Sequence, residues 1–118
     1  MSQTQVSDGV KKEIVREGSG RQVKSGNEIT VHCTGSLAGP PTKKFWSTKD
    51  PGQKPFTFQV GLGKVITGWD EGCLTMCQGE VARLTIAGYK GYGAQGFPAW
   101  GITPNADLIF EIEILSIR

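Results

Sequence analysis

The stretch Gly61-Leu-Gly-Lys-Val-Ile-Thr-Gly-Trp-Asp-Glu-Gly72 is the part of this sequence that favours a helix rather than a strand or a turn. Thr67 stands where a helix N-cap residue is expected, and Asp70 follows it by three positions, with Glu71 beside it. Acidic residues in a first turn stabilise the positive end of the helix dipole. The stretch therefore predicts a short helix that begins near Thr67, with its acids acting as capping groups.

The predicted helix is weak by itself, because Gly68 and Gly72 lie inside it. Each glycine costs about 1 kcal/mol relative to alanine, and a helix of so few residues is marginal in water. Other elements must therefore pack over it, with Trp69 as the anchoring side chain. The two small glycines would let the helix lie close against a sheet.

Length and composition indicate one globular domain. The chain has 118 residues, which is enough for a single core. Residues 1–8 are polar and are predicted to be a flexible tail, and residues 9–118 are predicted to form the domain. Seventeen glycines and six prolines indicate many turns and hence a strand-rich fold.

Charge and hydropathy narrow the functional classes. A net charge of +2 gives no reason to expect nucleic-acid binding. No apolar run approaches the ~20 residues of a membrane-spanning helix, and the polar N-terminus lacks a signal-peptide pattern. Three cysteines do not make a disulfide framework. A cytoplasmic protein that acts away from membranes, most simply as a monomer, is expected.

Hydrophobic alternation predicts about five strands. Ile29, Val31 and Cys33 alternate with Thr30 and His32, which places the two sets on opposite faces. Similar patterns occur in the other candidate strands, and the full set covers residues 10–16, 28–34, 56–60, 80–86 and 107–117. Two long turn-rich loops, 37–54 and 87–103, separate them, and such loops are usually functional. The predicted fold class is α+β: a twisted antiparallel sheet wrapped around one short helix.

Two glycine motifs resemble nucleotide-binding motifs but lack the neighbouring residues that such motifs require. Gly91, Gly93 and Gly96 have dinucleotide-binding spacing, but the Phe97-Pro98 that follows prevents the required helix. Gly63-Lys64 lacks both the earlier glycine and the Ser or Thr of a phosphate-binding loop. Both motifs are better explained as loop sequences.

The cysteines and the single histidine do not form a convincing reactive site. His32 and Cys33 point to opposite sheet faces, so they cannot join Cys73 and Cys77 around one metal ion without distortion. A disulfide involving Cys33 or Cys77 stays open, since sequence gives no distances. No conventional acid, base or nucleophile constellation is present, and neither a metal nor a cofactor is expected.

The remaining candidate for a functional site is a set of aromatic residues. Six rings fall on separate elements and could converge around the helix, either as a closed core or as a concave apolar pocket. They are Phe45, Phe56, Phe58, Trp69, Tyr92 and Phe110.

At these residues the sequence resembles the FKBP-type peptidyl-prolyl cis-trans isomerases, the immunophilins that bind tacrolimus and rapamycin. The matching segments run in the family's order from residue 10 onward. They are Val31-His-Cys-Thr-Gly35, Lys44-Phe45, Lys54-Pro-Phe-Thr-Phe58, Val65-Ile-Thr-Gly-Trp-Asp-Glu-Gly72, Gly91-Tyr-Gly-Ala-Gln-Gly-Phe-Pro98 and Asn105-Ala-Asp-Leu-Ile-Phe-Glu-Ile-Glu-Ile-Leu115. Segments 44–53 and 96–102 are similar to the small cytosolic members found in plants.

The resemblance implies a site between the helix and the sheet, acting on proline-containing peptides and proteins. Trp69 would form the floor, while the Tyr92 hydroxyl and the Ile66 backbone N–H would donate hydrogen bonds to carbonyl groups. Phe97 and Ile102 would line the mouth. The walls would be Phe45, Phe58, Val65, Ile66 and Phe110.

Two departures from the family pattern bear on macrolide binding. Cys33 stands where the family usually has Tyr, and Trp46 stands where it usually has Asp. Both positions belong to the implied macrolide site, so weakened affinity with surviving isomerase activity is expected. The resemblance also implies TOR kinase or calcineurin as partners of the ligand-bound surface. The rival hypotheses are a binding module that uses the exposed loop 87–103, and a closed carrier without a cleft.

Overall fold

A single antiparallel sheet of seven strands dominates the computed structural model, which describes residues 3–39 and 42–118. The spatial order is β1-β2-β6-β7-β3-β4, and β5 pairs with β3 next to β4. The strands are β1 Gln3–Ser7, β2 Val10–Arg16, β3 Glu28–Leu37, β4 Lys43–Ser47, β5 Phe56–Gln59, β6 Val81–Ile86 and β7 Leu108–Ile117. One α-helix, α1, spans Thr67–Cys73, and three single-turn 3₁₀ helices lie at Gly88–Lys90, Gly93–Gln95 and Pro98–Trp100.

The α+β class predicted from alternation is confirmed. In β3 the burial pattern alternates strictly from Glu28 to Gly35, with Ile29, Val31 and Cys33 facing inward. The inward side chains of β6 and β7 complete the core, and Trp69 and Cys73 of α1 are buried against it. No helix in the described part of the chain has the length and apolar character needed to cross a bilayer.

The helix lies very close to β6, and its two glycines are the reason. A Cβ atom built on Gly68 would stand 2.5 Å from Ile86 Cγ2, and one on Gly72 would stand 2.4 Å from Leu84 Cδ1. Both distances are far below van der Waals contact. The predicted role of these glycines, close approach of helix and sheet, is thus confirmed.

The helix cap differs from the sequence-based expectation. Ile66 is the N-cap residue and Thr67 is already helical, with no side-chain cap hydrogen bond. The Asp70 carboxylate instead accepts hydrogen bonds of 2.9 Å from the N–H groups of Gly61 and Gly63. Asp70 therefore fixes the turn before the helix, because those loop donors compete successfully for its oxygens.

Two strands of the structure, β1 and β4, were not predicted from the sequence. Gln3–Ser7 forms β1 rather than a flexible tail, while Met1 and Ser2 lie outside the described residues. Most of β1 is exposed, so no hydrophobic alternation reveals it, and main-chain pairing with β2 creates the strand. Likewise β4 lies within the predicted loop 37–54, where turn residues concealed a segment that pairs with the end of β3.

Glu71 ties β1 and the turn at Gly88–Lys90 to α1. Its carboxylate accepts hydrogen bonds from Lys90 Nζ at 2.8 and 3.0 Å and from Ser7 Oγ at 2.6 Å. The Lys90 contact, followed by the Ser7 contact, lowers the pKa of Glu71. Stability from a lowered carboxyl pKa is present above the unfolded-state pKa and is lost as pH falls through the folded-state value.

We therefore expect Glu71→Gln to lower the free energy of unfolding by about 0.5–1 kcal/mol at pH 7, because the group is only partly buried. The difference from wild type should close at an acid pH below the folded-state pKa of Glu71, which lies under the ordinary value of about 4.3 for Glu, because both states are protonated there. Denaturant unfolding at the two pH values measures this. Glu17→Gln, at an exposed position without an ion pair in the described residues, is the matched control. An equal loss at both pH values would contradict the assignment.

Candidate functional site

A cavity of about 590 Å³ opens between α1, the junction of β4 with β5, and the loop 87–103. Its volume falls in the range of small-molecule sites, and eight of its ten lining residues have apolar or aromatic side chains. The junction arises because β4 and β5 pair with successive halves of one β3 edge. The lining residues are Trp46, Phe56, Gly63, Lys64, Val65, Ile66, Trp69, Tyr92, Trp100 and Phe110.

Trp69 forms the floor of this cavity and is only 3% exposed. Its ring meets Phe110 edge-to-face at 5.2 Å and Phe56 at 6.0 Å between ring centroids. The buried Nε1 atom of Trp69 has no hydrogen-bond partner among the described residues. A floor made of rings, with even the indole N–H withdrawn from water, gives the site a low local dielectric.

The cavity lining also includes Ile66 and Tyr92, which carry hydrogen-bond donors. Ile66 N–H and the Tyr92 hydroxyl donate to no acceptor in the described residues. The Ile66 carbonyl, by contrast, accepts from Trp69 N at 3.0 Å and Asp70 N at 3.3 Å, which fixes the peptide plane at the helix start. Burial raises the pKa of Tyr92, so its hydroxyl keeps its proton at neutral pH.

The rim carries two stacked tryptophans. Trp46 of β4 stacks on Trp100 at 5.4 Å with an interplanar angle of 20°, and its ring also meets Phe56 edge-to-face at 6.2 Å. Trp100 stacks on Phe45 at 5.8 Å as well. The stack joins two segments that are more than fifty positions apart, and it places Trp46 over the cavity.

The structure brings six of the residues implied by the resemblance onto the cavity surface. Trp69 is the floor, the two donors lie beside it, and the others form walls and rim. The six are Trp46, Val65, Ile66, Trp69, Tyr92 and Phe110.

The other implied residues lie behind the lining or outside it. Phe45 supports Phe110 edge-to-face at 5.8 Å, and Phe58 packs against Trp69 at 5.6 Å from within the core. Cys33 is a buried core residue whose short side chain does not reach the cavity. Phe97 stacks on Tyr92 at 5.5 Å but is 39% exposed, and Ile102 of the same loop is buried.

Four lining residues were absent from the implied set: Phe56, Gly63, Lys64 and Trp100. Alternation places Phe56 and Phe58 on the same strand face, and only the register with β3, Phe56 opposite Val31, shows that Phe56 is nearer the opening. Trp100 lies in the predicted loop 87–103, and no sequence pattern gives its stacking partner.

The candidate reactive groups remain apart from the cavity. Cys33, Cys73 and Cys77 are all free thiols, and burial raises the pKa of Cys33 to about 12 and that of Cys73 further. His32 Nδ1 lies 2.9 Å from Thr48 Oγ1 on the other side of the sheet. Within residues 3–39 and 42–118, no three His, Cys, Asp or Glu side chains are grouped as a metal site. The lining of the cavity instead combines apolar and aromatic surface with the donors of Ile66 and Tyr92.

Comparison with known proteins agrees with this geometry. A family model described as FKBP-type peptidyl-prolyl cis-trans isomerase matches residues 19–115. Peptidyl-prolyl cis-trans isomerase FKBP12 of Arabidopsis thaliana is 57% identical, over 93% of this chain and 99% of its own length. The protein of the same name from Vicia faba is 59% identical, over 91% and 96%. Peptidyl-prolyl cis-trans isomerase of Schizosaccharomyces pombe is 46% identical, over 93% and 96%.

Proposed function

The chain belongs to the FKBP-type peptidyl-prolyl cis-trans isomerase family, and we propose on this premise that its aromatic cavity accelerates rotation about Xaa–Pro peptide bonds. The observation that carries the proposal is the pairing of a ring-lined cavity with two unpartnered donors, Ile66 N–H and the Tyr92 hydroxyl. Residues 9–118 would act as one catalytic domain, with β1 paired to its edge.

The reaction needs no covalent or proton-transfer step. The planar Xaa–Pro amide has double-bond character, which creates a barrier of about 18–20 kcal/mol and exchange times of tens to hundreds of seconds. Water stabilises this charge-separated planar form more than the twisted transition state. A cavity that removes water therefore lowers the barrier by differential stabilisation of the twisted form.

The residues of the cavity divide this work. Trp69 offers a flat floor for the proline ring, and Phe110, Phe56 and Val65 enclose it. The Tyr92 hydroxyl and Ile66 N–H hold the neighbouring carbonyl groups, which fixes the peptide while the bond rotates. Together, desolvation and positioning would need to supply roughly 7 kcal/mol for a 10⁵-fold acceleration.

A protease-free assay of cis–trans exchange in a Leu-Pro peptide tests the proposal directly. We expect acceleration proportional to enzyme concentration, together with amide chemical-shift changes at Ile66. His32, on the opposite face of the sheet, provides the internal control and should not shift. Acceleration without perturbation at Ile66 would place the site elsewhere, and binding without acceleration would favour the binding-module hypothesis.

Macrolide binding is the second part of the proposed function. FK506-binding protein 1 of Debaryomyces hansenii is 44% identical over 90% of this chain, and its name states that it binds FK506, the macrolide tacrolimus. In this chain the rim position 46 is an indole stacked on Trp100 rather than a carboxylate. We propose that tacrolimus and rapamycin bind in the cavity with reduced affinity, since the Trp46 indole cannot accept a hydrogen bond from a macrolide hydroxyl as a carboxylate would.

Trp46→Asp is therefore expected to tighten macrolide binding about tenfold, because one charge-assisted hydrogen bond is worth roughly 1.5 kcal/mol or more. Isothermal titration with tacrolimus and rapamycin measures the change. Trp46→Asn is the matched control, since it removes the indole without adding a charge. Wild-type affinity equal to that of Trp46→Asp would contradict the expected weakening.

The exposed aromatic residues bear on the partners, and the cysteines bear on the location. Phe97 and Trp100 are 39% and 38% exposed beside the cavity mouth, and they support a proposal that the ligand-bound face contacts TOR kinase or calcineurin. The same exposed aromatics favour the binding-module hypothesis, in which catalysis is incidental. Three free cysteines are consistent with a reducing compartment, so we also propose a cytoplasmic monomer that does not bind nucleic acid.

A further inference from the structure

Lys64 gives the cavity a charge that the mechanism above does not use. It is the only charged side chain among the ten lining residues, and it is exposed at the mouth. The turn that presents it is fixed at the preceding residue: Gly63 has φ +74°, and its N–H donates to the Asp70 carboxylate. Lys64 is thus built into the wall between Gly63 and Val65 rather than placed at random on the surface.

Lys64 has no carboxylate partner within the described part of the chain. Asp70 is the nearest acid along the sequence, but each of its oxygens accepts a backbone N–H, one from Gly61 and one from Gly63. Tyr92, the other titratable lining residue, stays neutral because burial raises its pKa. The ammonium group at the mouth is therefore available to a bound peptide.

Other lysines in the segment that lines the cavity add positive charge around Lys64. Residues 42–66 supply six of the ten lining residues, and they contain five lysines but one acid, Asp50, which pairs with Lys44 at 2.9 Å. The whole chain has a net charge of only +2, so positive charge is concentrated in this segment. The other lysines lie outside the lining and add a weaker field.

We propose that Lys64 selects proline segments that carry an acidic side chain next to the proline. This inference rests on the proposed isomerase function and names the class of substrate that the site prefers. A peptide whose proline ring sits on Trp69 must leave through the mouth, where a flanking Glu or Asp meets the unpaired ammonium group. The carboxylate would gain a partner that a neutral or basic flanking residue does not have.

The expected effect is modest, because an exposed ion pair is screened by solvent. Comparable pairs change an equilibrium by about two- to fivefold at low ionic strength, and salt weakens them. The contact is remote from the rotating bond, so it would stabilise ground state and transition state alike. The preference should therefore appear in KM rather than in kcat.

The experiment compares three peptides that differ only in the residue after Leu-Pro: Glu, Gln or Lys. Protease-free exchange rates give kcat/KM for each peptide with wild type, Lys64→Gln, Lys64→Glu and Lys11→Glu, at about 20 mM and 500 mM salt. Lys11 is an exposed lysine on β2, away from the cavity lining, and its reversal changes the net charge by the same amount.

At low salt we expect wild type and Lys11→Glu to favour the Glu peptide over the Lys peptide by about threefold or more. The ratio of kcat/KM for the Glu peptide to kcat/KM for the Lys peptide should approach one in Lys64→Gln and fall below one in Lys64→Glu. In wild type it should decrease at high salt. Equal rates for the three peptides with wild type would overturn the proposal, as would a preference that survives in Lys64→Glu. Failure to accelerate even the Gln peptide would instead count against the isomerase function itself.

Discussion

Phe110→Ala is expected to lower kcat/KM for a Leu-Pro peptide by about 100-fold, which is some 2.7 kcal/mol of transition-state stabilisation. Phe110 is 2% exposed and lines the cavity, and its ring meets the Trp69 floor edge-to-face. Its loss would open the wall beside the rotating bond and admit water to the amide. The measurement is the protease-free exchange rate, normalised to the folded fraction from near-ultraviolet circular dichroism.

Normalisation matters because truncating a buried Phe to Ala typically costs 3–5 kcal/mol of stability. Phe110→Leu provides a second variant that keeps the site apolar and filled while removing the ring edge that meets Trp69. We expect it to fold well and to lose about tenfold in rate, an intermediate value. If folded Phe110→Ala kept the wild-type rate, the reaction would not take place in this cavity.

The core of the fold was accessible from sequence because burial imposes regular spacing. Alternation in residues 28–34 and 107–117 identified the two central strands, whose inward faces are almost fully buried. Alternation could not identify β1 or β4, because their pairing is supplied by neighbouring backbone rather than by apolar side chains. The cap at Ile66 was also hidden, since the loop turn at Gly61 and Gly63 takes the carboxylate of Asp70.

The floor of the site could be predicted from the sequence, but its rim could not. Trp69 was identified from the helix that carries it, and the donors beside it came from the resemblance. The stack of Trp46 on Trp100 depends on how the loop 87–103 folds over β4, which no local pattern encodes. The same holds for Lys64, because no motif reveals that it has no carboxylate partner among residues 3–39 and 42–118.

Gly68→Ala is expected to destabilise the protein by about 2 kcal/mol, even though alanine is the better helix former by about 1 kcal/mol. The new methyl group would meet Ile86 Cγ2 at 2.5 Å, and Ile86 is fully buried on the sheet. Cγ2 is attached directly to a branched Cβ and cannot turn aside. The helix must therefore move, and Trp69, the next residue, moves with it, so the isomerase rate should also fall. Denaturant unfolding and the exchange assay measure the two effects.

Gly72→Ala is the matched comparison, since its methyl group would meet a terminal atom of Leu84, Cδ1, at 2.4 Å. A terminal methyl can shift by a side-chain rotation, so we expect a smaller loss than at Gly68. The double variant Gly68→Ala with Ile86→Ala should be less destabilised than the sum of the single changes, because Ile86→Ala removes the three carbons that the new methyl group would meet. Additive losses would mean that the glycines are not required for close packing. The glycines that weaken the helix would then need another explanation. Non-additive losses would instead mean that these glycines allow the close helix–sheet packing that positions Trp69.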